Sequence, residues 1–393
     1  MSAATERLNE LWKTQARSLA AKHLARKPYI PPCDVLDFSS SDYLGVRTDA
    51  RLAEGASEWA HRYGSGAGAS RLVVQFCDKL DSLESRFAEL TGWESAVLFA
   101  SGFMANIGLF EALSQVERGQ TEFFLDHRAH SSLYTATRLS GIPTQLYRHG
   151  DFTHLAHKLS TSSAIHKMII VESLHSMDGT FENAEALVQI CEAYGAVLIV
   201  DEAHSAAICG PQGAGWLACY PELRKHAIAV MFGCGKALGV MGGFVCCSKE
   251  LQAMLFQSAR SLIFTTGVAP AVAGSLWASV EVLFSEEGNQ RRQQLYTHIH
   301  RVREDISKWE GLGQKFSLCG SPESPILGIV VQSEEKALQL SEVLLKRKLL
   351  VRPIRPPTVP KGTSRLRIIL HSTHTKEQLF SLSQELKVAL HDL

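Results

Sequence analysis

The chain has 393 residues, 45% of them hydrophobic, enough for one large core and a second, smaller one. Forty basic and forty acidic residues leave no net formal charge, which argues against a surface drawn as a whole to nucleic acid or acidic membranes and favours an enzyme acting on small molecules. No apolar stretch approaches the roughly 18 to 20 residues of a membrane helix, and nine cysteines without metal-site spacing read as reduced thiols in a cytoplasmic protein that needs no metal.

In chain order, Leu8, Leu11, Trp12, Ala16 and Leu19 fall at helical spacing and predict an amphipathic N-terminal helix that packs on the body. Glu6 and Glu10 argue against a mitochondrial presequence. A short strand over 35–40 and a turn over 42–45 follow, so residues 1–54 form a segment whose strand joins the smaller lobe. Over 55–270 strands and helices alternate, with apolar runs at 97–100, 122–125, 168–171, 197–200, 229–231 and 243–246. Runs of that kind are buried on both faces, which predicts a large α/β domain around a mostly parallel sheet. Over 271–393 helices near 271–285, 288–309, 334–347 and 375–391 separate strands at 325–331, 349–352 and 365–370, the pattern of a smaller α+β domain.

Two segments carry chemistry. Asp201 ends the run 196–200 and opens Asp201-Glu202-Ala203-His204, and Lys236 follows in Gly235-Lys236-Ala237-Leu238-Gly239. Pyridoxal phosphate (PLP) needs a lysine amine to hold its aldehyde covalently and a carboxylate to keep its ring nitrogen protonated. An aspartate at the carboxyl end of a buried parallel strand faces the crevice where open α/β sheets bind ligands. The same acidic box serves nucleotide hydrolases, but only with an upstream Gly-x4-Gly-Lys-Ser/Thr loop, and none is present. Ser101-Gly102-Phe103 opens a helix after a strand, and helix N-terminal N–H groups suit a phosphate. His130, just past the run 122–125, can stack on a pyridine ring; His127 is its rival. Arg365 and Arg367 alternate with apolar residues and so share one strand face, where a guanidinium can clamp a substrate carboxylate. The glycine-rich stretch 64–68 follows no apolar strand and fits a loop near a ligand or a dimer seam.

Taken in order, Ser40-Ser41-Asp42-Tyr43-Leu44-Gly45, the stretch 64–71, Ser101-Gly102-Phe103, Ser176-Met177-Asp178-Gly179, the acidic box and the Lys236 segment resemble the α-oxoamine synthases. These are fold-type I PLP enzymes of the aminotransferase-like fold that condense an amino acid with an acyl thioester. The resemblance implies Lys236 as the lysine that holds the cofactor, Asp201 on its ring nitrogen, His204 on its ring hydroxyl and His130 stacked on the ring. It places Gly102, Phe103 and Ser176 around the cofactor, and Arg367 and Ser41 at the substrate carboxylate. It also implies a homodimer in which Thr265 or Thr266 reaches the neighbour's phosphate. The segment 354–367 is most similar to the branch that joins L-alanine to a pimeloyl thioester, on coenzyme A or a carrier protein; a sister reaction of glycine or serine is the alternative. A degenerate binding subunit would have no reason to keep Lys236. Ser41 stands where the family has asparagine, His175 where an aromatic residue is common, Gly150 where asparagine follows the histidine, and Gly233 where a threonine binds phosphate. Gly233→Thr is therefore expected to tighten the cofactor.

Overall fold

Each apolar run of the first half has two faces to bury, and in the computed structural model they lie side by side in one sheet. The structure describes residues 1–21, 25, 28–310 and 313–392 and comprises two units, Met1–Val35 and Leu36–Leu393. The first carries one helix, Ala3–Ala21, with Glu6 in its first turn, where a negative charge complements the helix dipole.

The second unit begins with β1 (Leu36–Asp37) and continues with β2 (Ser95–Phe99), β3 (Thr121–Asp126), β4 (Thr144–Tyr147), β5 (His166–Glu172), β6 (Val197–Asp201), β7 (Ala227–Gly233) and β8 (Gly243–Cys247). The large sheet runs β2-β8-β7-β6-β5-β3-β4. Its neighbours are parallel except that β8 runs antiparallel to both β2 and β7. Alternate residues point to opposite faces, so Phe124, Val171, Leu198 and Val200 enter one core while Phe123, Leu125, Ile170 and Ile199 enter the other. Helices close both faces; in Ala184–Tyr194, Leu187, Ile190 and Cys191 are buried, and Asn183 caps the start by accepting from the Ala186 N–H at 3.1 Å.

Beyond it, β9 (Ser317–Cys319), β10 (Ile326–Gln332), β12 (Arg352–Ile354) and β13 (Ser364–Ile369) form an antiparallel sheet of order β12-β13-β10-β9, and β11 (Leu349–Leu350) pairs in parallel with β1. The strand expected over 349–352 is thus two short ones in different sheets; Pro353, which has no N–H to donate, sits in the edge strand β12. Strand β4 escapes the sequence reading because it is an edge with only Tyr147 buried, so no apolar run marks it. The N–H of Ile369 bonds to the Phe38 carbonyl at 2.8 Å and that of Ser372 to the Tyr43 carbonyl at 2.8 Å. These bonds lay the segment holding Ser41 and Tyr43 along the end of β13.

Candidate active site

The carboxyl ends of β5 and β6, the loops after β3 and β7, and the start of helix Gly102–Leu113 surround one cavity of about 260 Å³. Of the residues expected at the site, Gly102, Phe103, His130, Asp201, His204 and Lys236 all line it.

Asp201 is buried at the end of β6. Its Oδ2 accepts from Asn106 Nδ2 at 3.0 Å and its Oδ1 from the Ala203 N–H at 2.9 Å, so two donors fix the carboxylate. Asn106 also donates to Ser132 Oγ at 2.9 Å. Lys236 is half-buried, and desolvation holds its pKa below the ordinary lysine value, against the opposing charges of Asp201 and Glu172. Such an amine gives up its proton more readily than one in water, as a nucleophile or base requires.

His204 is held neutral by burial, which drives its pKa well down, with Lys236 and Arg367 adding to the effect. Its Nδ1 lies 2.6 Å from the Tyr43 hydroxyl. His130 lines the cavity and His127 does not: His130 Nδ1 pairs with Ser132 Oγ at 2.7 Å, and its backbone N–H donates to Glu172 Oε1 at 2.6 Å. His127 is an exposed side chain whose Nδ1 accepts from the His149 N–H at 2.8 Å. Glu172 is buried, and burial pushes its carboxyl up to about 7, partly offset by His175.

The two arginines of β13 divide their work. Arg365 is buried and ion-paired with Asp178, which Arg128 Nη1 also holds at 2.6 Å. Arg367 donates through Nε to the Ser176 carbonyl at 2.7 Å, and its charge acts on Tyr43, Lys236 and His204. Ser41 is among the groups that act on the Tyr43 phenol. Ser176 contributes its carbonyl to Arg367 and does not line the cavity. Thr265 is half-buried and Thr266 exposed, and neither lines the cavity of its own chain.

Position 233 departs from expectation. Gly233 has no positive φ, yet a Cβ there would lie 2.8 Å from Ala203 Cβ and 3.5 Å from Lys236 Nζ. Ala203 closes the space that a threonine would fill. Sequence reasoning gave Asn106, Tyr43 and Glu172 no role; Tyr43 stands in the string 40–45 that carries the resemblance, and the signal for Asn106 was a polar residue within an otherwise apolar helix start, Met104-Ala105-Asn106-Ile107.

The donor set fits PLP. A desolvated amine and a fixed carboxylate suit the aldehyde and the ring nitrogen. The first-turn N–H groups at Gly102 and Phe103, which have no partner within their helix, suit the phosphate. Ser101 caps that helix by accepting from the Met104 N–H at 3.2 Å, leaving the two N–H groups ahead of it directed outward.

Residues 33–386 match the Aminotransferase class I and II family, and the chain belongs to it. It is 38% identical over 357 residues to the 8-amino-7-oxononanoate synthase of Herminiimonas arsenicoxydans, covering 90% of each chain. Among solved structures it resembles the serine palmitoyltransferase of Sphingomonas wittichii in fold, with a TM-score of 0.86 at 23% identity over 100% of this chain and 99% of that one. The 8-amino-7-oxononanoate synthase of Francisella tularensis has a TM-score of 0.74 at 25% identity, over 92% of this chain and 99% of its own.

Proposed function

We propose that the chain is an 8-amino-7-oxononanoate synthase of biotin synthesis, joining L-alanine to a pimeloyl thioester with release of carbon dioxide and the thiol. The observation that carries this reading is that an amine, Lys236, and a fixed carboxylate, Asp201, line one cavity, with the Arg367 guanidinium near enough for its charge to act on Lys236. PLP, when bound, supplies an aldehyde for the amino group and a protonated ring that takes up the electrons of an α-carbanion.

Lys236 would hold the cofactor's aldehyde and, as a free amine, would move the α-proton of the amino acid. Asp201, fixed by Asn106 and Ala203, would keep the ring nitrogen protonated. His204 and His130 would hold the ring, and the N–H groups of Gly102 and Phe103 would take the phosphate. Arg367 clamps the alanine carboxylate, with Ser41 beside it, while Arg365 is left to hold Asp178.

The working unit is a cytoplasmic homodimer. Phe103 and Met241 are exposed apolar side chains that line the cavity, and Leu72, Val73, Val74 and Phe264 are exposed as well. Their segments are tied together by Ser70 Oγ donating to the Ile263 carbonyl at 2.7 Å and Ser261 Oγ to the Met104 carbonyl at 2.7 Å. A patch of that kind is what a subunit contact covers, and Thr265 and Thr266, which follow Phe264, would reach the neighbour's phosphate across it. No helix among the described residues is long and apolar enough to cross a membrane.

Mass spectrometry of the products from L-alanine, glycine or serine, each with pimeloyl-CoA and with acetyl-CoA, tests the reading. 8-Amino-7-oxononanoate from alanine and pimeloyl-CoA is expected as the main product. A preference for another pair assigns a sister reaction instead.

A further inference from the structure

A buried polar cluster beside the cavity takes no part in the reaction above. Asp126 ends β3, His149 follows β4 and His175 follows β5, three strands that are neighbours in the order β5-β3-β4. Each residue offers one ligand atom, and the three atoms lie within 4.8 Å of one another. Asp126 is 0% exposed and His175 4%, so the cluster is largely closed to bulk water.

One ring nitrogen of His175, Nε2, pairs with Glu182 Oε2 at 2.9 Å, and the other, Nδ1, is buried with no hydrogen-bond partner. Leaving a buried polar atom unpaired costs about 1 to 3 kcal/mol, so an absent partner is expected there. The charges agree. Arg128 and Arg365 compensate Asp178, whereas the ion-pair partners of Asp126 and Glu182 among the described residues are imidazoles: His149 Nδ1 at 2.8 Å and His127 Nδ1 at 3.9 Å from Asp126, and His175 from Glu182. Asp126 Oδ1 also accepts from the Arg128 backbone N–H at 2.7 Å.

We propose that Asp126, His149 and His175 bind one divalent transition-metal ion of the zinc type, through two imidazole nitrogens and one carboxylate oxygen. Zinc takes such donors at about 2.0 to 2.2 Å, which puts tetrahedral ligand atoms roughly 3.4 Å apart, within reach of small side-chain rotations from the present spacing. Binding replaces the hydrogen bond between His149 and Asp126: each histidine ligates as the neutral imidazole with its one proton on the other ring nitrogen, and a ring that is doubly protonated beforehand gives its second proton to water. The fourth position is left to water or to Asp178, whose Oδ2 is 3.8 Å from His149 Nε2. The ion would brace the ends of three adjacent strands, two of which lead into His130 and Glu172.

The test uses the PLP-loaded enzyme, treated with chelator, dialysed, loaded with Zn²⁺, desalted and assayed for zinc, beside His175→Phe and His175→Gln. Wild type should retain one zinc per chain, and both variants should bind it at least about ten-fold more weakly, the lower limit seen even for loss of an outer contact. Loading with Co²⁺ should give ligand-field bands without thiolate charge transfer. No retention by wild type, equal retention in the folded variants, or a thiolate-to-cobalt band would each overturn the assignment.

Discussion

The Tyr43 hydroxyl sits 2.6 Å from His204 Nδ1, and the two residues are both buried. Burial raises the Tyr43 pKa, so the phenol keeps its proton, and burial keeps His204 neutral. With the phenol donating to Nδ1, the imidazole has its own proton on Nε2, the tautomer that can donate to a ligand hydroxyl or phenolate oxygen. Tyr43→Phe should lower kcat by about 3- to 10-fold, the equivalent of one ordinary hydrogen bond, with cofactor content unchanged. An unaltered kcat would mean that His204 needs no such support.

Arg365 and Arg367 share a strand face and should fail in different ways. Arg367→Ala should weaken alanine binding by about 1.5 to 3 kcal/mol, the size of a charge-assisted hydrogen bond, with the fold intact. Arg365→Ala should cost about 3 kcal/mol of stability, because it leaves Asp178 with Arg128 alone in a largely buried position. Alanine titration and urea unfolding of both variants separate the two; the opposite pattern would exchange their roles.

Much of the site is legible in sequence because its reacting groups come in short contiguous strings at the ends of strands, as with Asp201 to His204 and the glycines around Lys236. Its supports are not, because they act across the fold. Asn106 reaches Asp201, Tyr43 reaches His204, and the Glu172 carboxylate receives the His130 N–H, each pair set by topology. The large sheet was read from its apolar runs, but the direction of β8 and the edge strand β4 leave no mark in composition. Position 233 shows the same limit: the missing hydroxyl is visible in sequence, while Ala203 standing in its space is not.

Gly233→Thr should accordingly destabilise the protein by about 1 to 3 kcal/mol and lower its PLP content, since the added atoms meet Ala203. Removing the obstruction in the double variant Gly233→Thr, Ala203→Gly should recover part of the loss, a coupling of about 0.5 to 3 kcal/mol. Additive effects in a thermodynamic cycle would show that the two side chains do not meet.

His374 makes folding depend on pH. Its Nδ1 accepts from the His371 N–H at 3.0 Å and its Nε2 lies 3.0 Å from the Asp37 carbonyl, so the neutral ring is satisfied on both sides. Burial, with His371 adding to it, pulls its pKa down to about 3. The folded value lies below the unfolded one, so the contribution is complete above the ordinary histidine pKa near 6.5 and is lost as pH falls from there toward 3. Between about pH 5.5 and 4 the loss approaches about 1.4 kcal/mol per pH unit. Urea unfolding should show a shallower acid slope in His374→Asn than in wild type; parallel slopes would assign the proton uptake to other groups.

The central claim is that Lys236 is the group that carries the cofactor. Borohydride reduction of the PLP-loaded protein, followed by proteolysis and mass spectrometry, tests it most directly. The pyridoxyl mass should appear on the peptide containing Lys236 and nowhere else, and Lys236→Ala should lose both that label and turnover while still binding PLP noncovalently. A reduced label on another lysine, or near-normal turnover by Lys236→Ala, would contradict the account.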